Sequence, residues 1–166
     1  MSFEIERKFL VRADSWRELV SSRTTIRQAY LASGGKSSTR IRICSDGTAT
    51  LTIKSRPADL RRLELEYSIP VLQAEALMQL REDSIIEKTR HTVPYGGLTW
   101  EVDVFSGDNL GLIIAEVELK DVDQAVDIPS WIGREVTAQP QYYNSFLAQQ
   151  PFSSWSMRAQ SMTRFA

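Results

Sequence analysis

The sequence predicts a mainly β (α+β) fold whose antiparallel strands wrap around a charged inner face. Three observations predict it. Strand-like stretches recur at regular spacing through most of the 166 residues, and Gly-rich or Asp/Asn-rich turns separate them. Ionisable side chains also recur two residues apart on one stretch after another, which in an extended strand places both on one face. Many short strands favour a barrel or a sandwich, and a barrel with the charged face inward would bring these groups together.

The first strand, Phe3–Val11, lines Glu4, Glu6 and Lys8 on one face. Asp14 then stands where it can cap a short helix whose Trp16, Leu19 and Val20 form an apolar face. Strand Ile26–Leu31 carries Tyr30, Gly34-Gly35 breaks the chain, and Thr39–Cys44 presents Arg40 and Arg42. Ser45-Asp46-Gly47 reads as a hairpin leading into Thr48–Lys54, with Thr52 and Lys54 on one face. Arg56–Arg62, a polar loop with Pro57 and three arginines, is expected at an open end.

Leu63–Ile69 presents Glu64 and Glu66. Pro70 suits the first turn of a helix over Val71–Leu80 that packs through Leu72, Leu77 and Leu80. Ile86–Val93 carries Lys88 and Arg90, Pro94–Gly97 reads as a hairpin, and Leu98–Phe105 carries Glu101 and Asp103. A turn at Ser106–Asn109 precedes Leu112–Leu119 with Glu116 and Glu118. In Pro129–Thr137, Trp131 and Val136 read as packing residues and Gly133 as a turn. A helix is expected near Gln141–Gln149. Residues 1–150 are read as one domain and 151–166 as a tail that docks as a short helix through Trp155, Ala159, Met162 and Ala166.

Composition bounds the function. A charged fraction of 25%, a hydrophobic fraction of 42% and a net charge of -1 describe an ordinary globular chain with no global field for nucleic acid or anionic membrane. Any polyanion site must be local. The single cysteine, Cys44, cannot form an intramolecular disulfide, reads as structural, and points to a cytoplasmic protein. The single histidine, His91, has the parity opposite to Lys88 and Arg90 and is expected to face away from the charged surface. Triad chemistry is thereby disfavoured, and metal-assisted attack by water is the simple alternative.

The charges sort by sign. A solvated face usually mixes charges with neutral polar residues, and like charges two apart gain nothing from one another. Carboxylates are hard ligands suited to Mg²⁺ or Mn²⁺, whereas Arg and Lys suit phosphate oxygens. Arg40, Arg42, Lys54, Lys88 and Arg90 exceed what one monophosphate needs, so a chain of phosphates is the better fit.

These residues also carry a family resemblance. Glu4-Ile5-Glu6-Arg7-Lys8 resembles the Glu-x-Glu-x-Lys opening of the CYTH, or triphosphate tunnel metalloenzyme, superfamily. The likeness continues through Gln28-Ala29-Tyr30-Leu31, Arg40-Ile41-Arg42, Leu51–Lys54, Glu64-Leu65-Glu66, Glu87–Arg90, Trp100–Phe105, Ala115–Leu119 and Pro129–Thr137. It implies an eight-stranded antiparallel β-barrel tunnel with paired charges inside, and a divalent metal. It further implies Glu4, Glu6 and Glu118 as core metal ligands, with Glu116 and Asp103 close by, and Glu64 and Glu66 holding a second metal or its waters. Lys8, Arg40, Arg42, Lys54, Lys88 and Arg90 are implied as a triphosphate cradle, with Tyr30 able to reach a phosphate or Lys8. The expected catalytic set is Glu4, Glu6, Lys8, Glu64 and Glu66; which carboxylate orients the water stays open.

The function expected is hydrolysis of inorganic tripolyphosphate to pyrophosphate and phosphate. The alternatives are a nucleoside triphosphatase or class IV-like adenylyl cyclase, a thiamine triphosphatase, and a non-catalytic polyphosphate- or nucleotide-binding module. A small anionic triphosphate is the expected partner. Outward apolar residues such as Ile41, Ile43, Leu51, Ile53, Val102 and Val104 need cover, which a homodimer would supply.

Overall fold

Alternation of polar and apolar residues yields nine strands, which a computed structural model describes within residues 5–32, 35–55 and 63–164. They are β1 (Ile5–Val11), β2 (Ser22–Ala32), β3 (Ser37–Cys44), β4 (Ala49–Ser55), β5 (Glu64–Ser68), β6 (Ile86–Tyr95), β7 (Leu98–Ser106), β8 (Ile113–Leu119) and β9 (Ile132–Glu135). All belong to one sheet in the order β5-β4-β3-β2-β6-β7-β8-β1-β9, and the pairings are antiparallel. The mainly β antiparallel fold expected is present, with nine strands where eight were expected. Among the described residues the edges β5 and β9 are not paired with each other, so the sheet curves without closing its ladder.

Turn chemistry fixes the register. In the β6–β7 hairpin Gly96 and Gly97 take φ of 60° and 73°, the pair of positive values that a two-residue type I′ turn demands. Between β3 and β4, Asp46 Oδ1 accepts from the Thr48 backbone N–H at 2.9 Å and Gly47 turns the chain at φ 83°. Gly133 does not make a turn; it lies inside β9, a strand that pairs with β1 across a register shift.

The two faces of the sheet differ. Its outer face carries two apolar clusters. One gathers Phe9, Trp100, Val102 and Val117 beneath Trp16 and Trp131. The other sets Ile41, Ile43 and Ala49 under Ala74 and Met78 of α1 (Val71–Met78). Half of the residues that argued for a homodimer, Ile41, Ile43 and Val102, are thus covered within the chain; Leu51, Ile53 and Val104 stay half-buried. Of the expected stripe only Leu77 packs; small Ala74 lets the helix approach the sheet beside Met78, while Leu72 and Leu80 remain exposed.

At one end the inner face is also apolar. Leu10, Ile86, Phe105 and Ile114 pack there against Tyr142, Leu147 and Phe152, with α2 (Asn144–Gln149) seated across the end of the sheet. Burying a side chain such as Leu147 or Ile114 contributes about 1.5–3 kcal/mol relative to exposure. The helix after Asp14 is a 3₁₀ turn, Ser15–Leu19; the Asp14 carboxylate accepts from Arg17 Nε rather than capping it, and Leu19 is exposed. The tail carries α3 (Met157–Arg164); Trp155 precedes it, Met157 and Met162 face solvent, and Ala166 lies outside the described residues. No helix among the described residues is long and apolar enough to cross a membrane.

Candidate active site

Beyond the apolar plug, the inner face opens into a cavity of about 850 Å³. Strand parity aims most of the expected residues into it. Glu6, Lys8, Tyr30, Arg40, Arg42, Lys54, Glu64, Glu66, Arg90, Glu116 and Glu118 all line it, with Glu101, which joins them from β7. Glu4 and the Arg56–Arg62 loop lie outside the described residues. Polar residues without an expected role complete the wall: Ser38, Thr137, Tyr143, Asn144 and Ser145. The last three belong to the plugging segment, where a helix was expected but not its return across the inner face.

On the β6–β7–β8–β1 flank the charges form a buried network. Register sets Lys8 opposite Glu116 and Arg90 opposite Asp103. Arg90 donates from Nε and Nη2 to the two Asp103 oxygens at 2.8 Å each, reaches Glu116 Oε2 at 3.1 Å, and also pairs with Glu101. Lys8 Nζ bonds Glu116 Oε1 and lies 3.2 Å from Glu6 Oε1. Burial alone would lower the Lys8 pKa, but the attraction of Glu116 and Glu6 outweighs it and raises it. Burial likewise works against the charged form of Glu116, and the nearby cations overcome it and hold its carboxyl below the usual range. Desolvation wins at Glu101, whose pKa is raised despite Arg90.

Lys88 and Asp103 depart from expectation. They share the parity of the lining residues but sit beneath the cavity wall, with side chains 0% and 1% exposed and paired with each other. Asn144 Oδ1 stands 3.5 Å from Lys88 Nζ, and the Phe105 ring lies under the ammonium at 5.4 Å. Complete burial pushes the Lys88 pKa down to about 8 against the pull of Asp103. Both Asp103 oxygens are taken by Lys88 and Arg90. Glu116 is engaged in the same way, with Oε1 bonded by Lys8 and Oε2 by Arg90.

On the β3–β4–β5 flank the pairs are more open. Lys54 Nζ meets Glu64 Oε2 at 2.5 Å. Arg40 Nη2 donates to Thr52 Oγ1 at 3.2 Å, and Thr52 passes the chain on to Glu66 Oε2 at 2.9 Å. Thr52 is fully buried, so its hydroxyl direction is set by these two partners. Arg42 lowers its pKa through burial first and through Arg40 and Arg90 second.

The carboxylates bear on a metal. Register places Glu6 directly opposite Glu118, a like-charge pair that is unfavourable unless a cation comes between them. Both are hard oxygen donors at the exposed rim, with Glu116 two residues deeper. Among the described residues no three His, Cys, Asp or Glu side chains already converge as a ready-made cluster. The donor set fits a divalent ion entering from the rim. His91 lies on the opposite face, stacked edge-on against Trp16 at 5.1 Å with Nδ1 3.2 Å from the Val102 carbonyl.

Residues 2–146 match the family model of the CYTH domain. The chain belongs to the CYTH family. This CYTH protein is 42% identical to an inorganic triphosphatase of Acetivibrio thermocellus over 156 residues, 93% of this chain and 99% of that protein. It is 40% identical to an inorganic triphosphatase of Nitrosomonas europaea over 150 residues, 87% and 96% of the two chains. The crystal structure of the inorganic triphosphatase NE1496 superimposes with a TM-score of 0.66 at 34% identity, covering 89% of this chain and 95% of that one. Membership of a metalloenzyme family implies a divalent metal, which the rim carboxylates suit.

Proposed function

We propose that this CYTH protein hydrolyses inorganic tripolyphosphate to pyrophosphate and phosphate with Mg²⁺ or Mn²⁺. The observation that carries the reading is one cavity lined by cations from four strands together with rim carboxylates, in a chain whose relatives are inorganic triphosphatases. Glu6 and Glu118, with Glu116 and Glu4, would hold the metal; Arg40, Arg42, Lys54 and Arg90 would hold the phosphates. When bound, the divalent ion supplies Lewis acidity and a water of lowered pKa.

The chain's own residues do the rest. Lys8 is kept protonated by Glu116 and Glu6, so it serves as a donor to a phosphate oxygen rather than as a base. Arg90, braced on both Asp103 oxygens, presents a fixed guanidinium at the flank boundary. Asp103, itself bonded by Lys88, holds Arg90 in place from beneath. Glu64 and Glu66 release Lys54 and Arg40 as phosphate oxygens replace their carboxylates. Catalysis of this kind rests on positioning and charge stabilisation. The lining aromatics are Tyr30 and Tyr143, with no apolar slot for a base among the described residues, which favours an inorganic chain over a nucleotide.

A phosphate-release assay across tripolyphosphate, ATP, thiamine triphosphate and pyrophosphate, with Mg²⁺, Mn²⁺ or chelator, tests the reading. Tripolyphosphate with metal should give the fastest release. Faster turnover of ATP would move the assignment to the nucleotide enzyme, and no turnover of any of them would leave a binding module.

A further inference from the structure

Arg42 differs from its neighbours in the cavity. Lys8, Arg40, Lys54 and Arg90 each meet a carboxylate, whereas Arg42 makes no ion pair or side-chain hydrogen bond among the described residues. Its Nε is buried and without a partner. Directly opposite it on β2 stands Gln28, and directly opposite on β4 stands Thr50. Gln28 is 0% exposed, yet neither its Oε1 nor its Nε2 has a partner, and the buried Thr50 hydroxyl has none either. One rung across three strands thus concentrates unmet hydrogen-bonding capacity around a single cation.

Unsatisfied buried polar groups are costly, and each calls for a function. An apolar residue at position 28 would pack against Ile86, its opposite on β6, without that cost. The amide is the one side chain of this size that can accept from a guanidinium N–H without neutralising it. A carboxylate there would do to Arg42 what Glu66 does to Arg40.

We infer that Gln28 is a positioning residue that takes up Arg42 through a neutral hydrogen bond when an anion binds, leaving its full charge available and making Arg42 the first anchor of the polyphosphate chain. The inference rests on the tripolyphosphate reading. Anion arrival turns the Arg42 guanidinium so that Nε–H donates to Gln28 Oε1 while its terminal nitrogens face phosphate oxygens. Arg40 and Lys54 join afterwards, since each must first part from its carboxylate.

Two substitutions with opposite charge consequences test this, read by calorimetric binding of tripolyphosphate in chelator, by KM and kcat with metal, and by melting temperature. Gln28→Glu pairs with Arg42 and should weaken binding by more than about tenfold, the loss of a charge-assisted contact. Its KM should rise with kcat changed less than about twofold and the melting temperature held. Gln28→Met removes the acceptor but leaves the charge, and should weaken binding by a smaller factor, roughly threefold. If Gln28→Glu fails to fold, Gln28→Met decides alone through its KM. Wild-type binding with both variants equally tight, or a loss confined to kcat, overturns the inference by itself. A wild-type protein that binds no tripolyphosphate overturns the triphosphatase reading and this inference together.

Discussion

On the β6–β7–β8–β1 side of the cavity the deep charges are buried against opposite ones, as with Asp103 at 1% exposure and Glu116 at 8%, while Glu6, Glu101 and Glu118 lie at the rim. On the β3–β4–β5 side the carboxylates hang from an edge strand, and Glu66 is 46% exposed. The same residue types therefore serve two ends. Buried pairs are expensive to break, because removing one partner strands the other in a low-dielectric interior. Exposed pairs contribute little and exchange partners readily. In the proposed reading the first flank is a fixed frame, and the second can trade carboxylate for phosphate.

The largest effect should follow from breaking the frame. Asp103→Asn leaves Lys88 buried and short of charge, and should cost about 3–5 kcal/mol in urea unfolding. The pair Asp103→Leu with Lys88→Met should recover part of that loss, since a packed apolar pair can replace the buried Lys88–Asp103 pair while Arg90 still loses its two bonds to Asp103. Glu66→Gln, on the open flank, should change stability by less than about 1 kcal/mol. Equal losses for Asp103→Asn and Glu66→Gln would erase the distinction.

A smaller effect concerns pH. Lys88 titrates near 8 in the folded protein against 10.5 for the free side chain. Between those values the unfolded chain binds more protons than the folded one, so this group makes stability rise with pH across that window. Below pH 8 the burial cost of the ammonium is fully present. Subtracting the Lys88→Met curve from the wild-type curve isolates the term, because Lys8, raised by Glu116 and Glu6, is common to both proteins. A difference that is flat or falls from pH 8 to 10.5 would contradict the assignment.

The smallest effect belongs to the outer face. His91→Ala should cost about 0.5–1.5 kcal/mol through its ring contact with Trp16 and leave turnover unchanged. A large loss of turnover would place His91 in the chemistry after all.

Much of this site was legible because strand parity is strict. Glu6 and Lys8, Arg40 and Arg42, and Glu116 and Glu118 reach the cavity from spacing alone. Parity cannot report depth, however. Lys88 and Asp103 share the inner face but are covered, because Asn144 and the plugging segment return over them from far along the chain. Leu10, Ile86 and Ile114 have the same parity and are apolar for the same reason. The ninth strand was hidden by its length: Ile132-Gly133-Arg134-Glu135 is too short to show alternation, and its glycine suggests a turn. In α1 the packing stripe turns on Ala74, a small residue whose value lies in close approach rather than hydrophobicity.

The division of labour between the flanks is tested most directly by titrating a non-hydrolysable triphosphate into wild-type, Glu118→Gln and Arg40→Ala proteins, each with and without Mn²⁺. In the wild type, Mn²⁺ should tighten binding by about tenfold or more, the scale of one charge-assisted contact. Glu118→Gln should lose that enhancement while keeping or improving the metal-free affinity. Arg40→Ala should weaken binding by about tenfold in both conditions and keep the enhancement. The reverse pattern, with the enhancement lost in Arg40→Ala and retained in Glu118→Gln, would contradict a metal on the β1–β8 rim and phosphates on the β3–β4 flank.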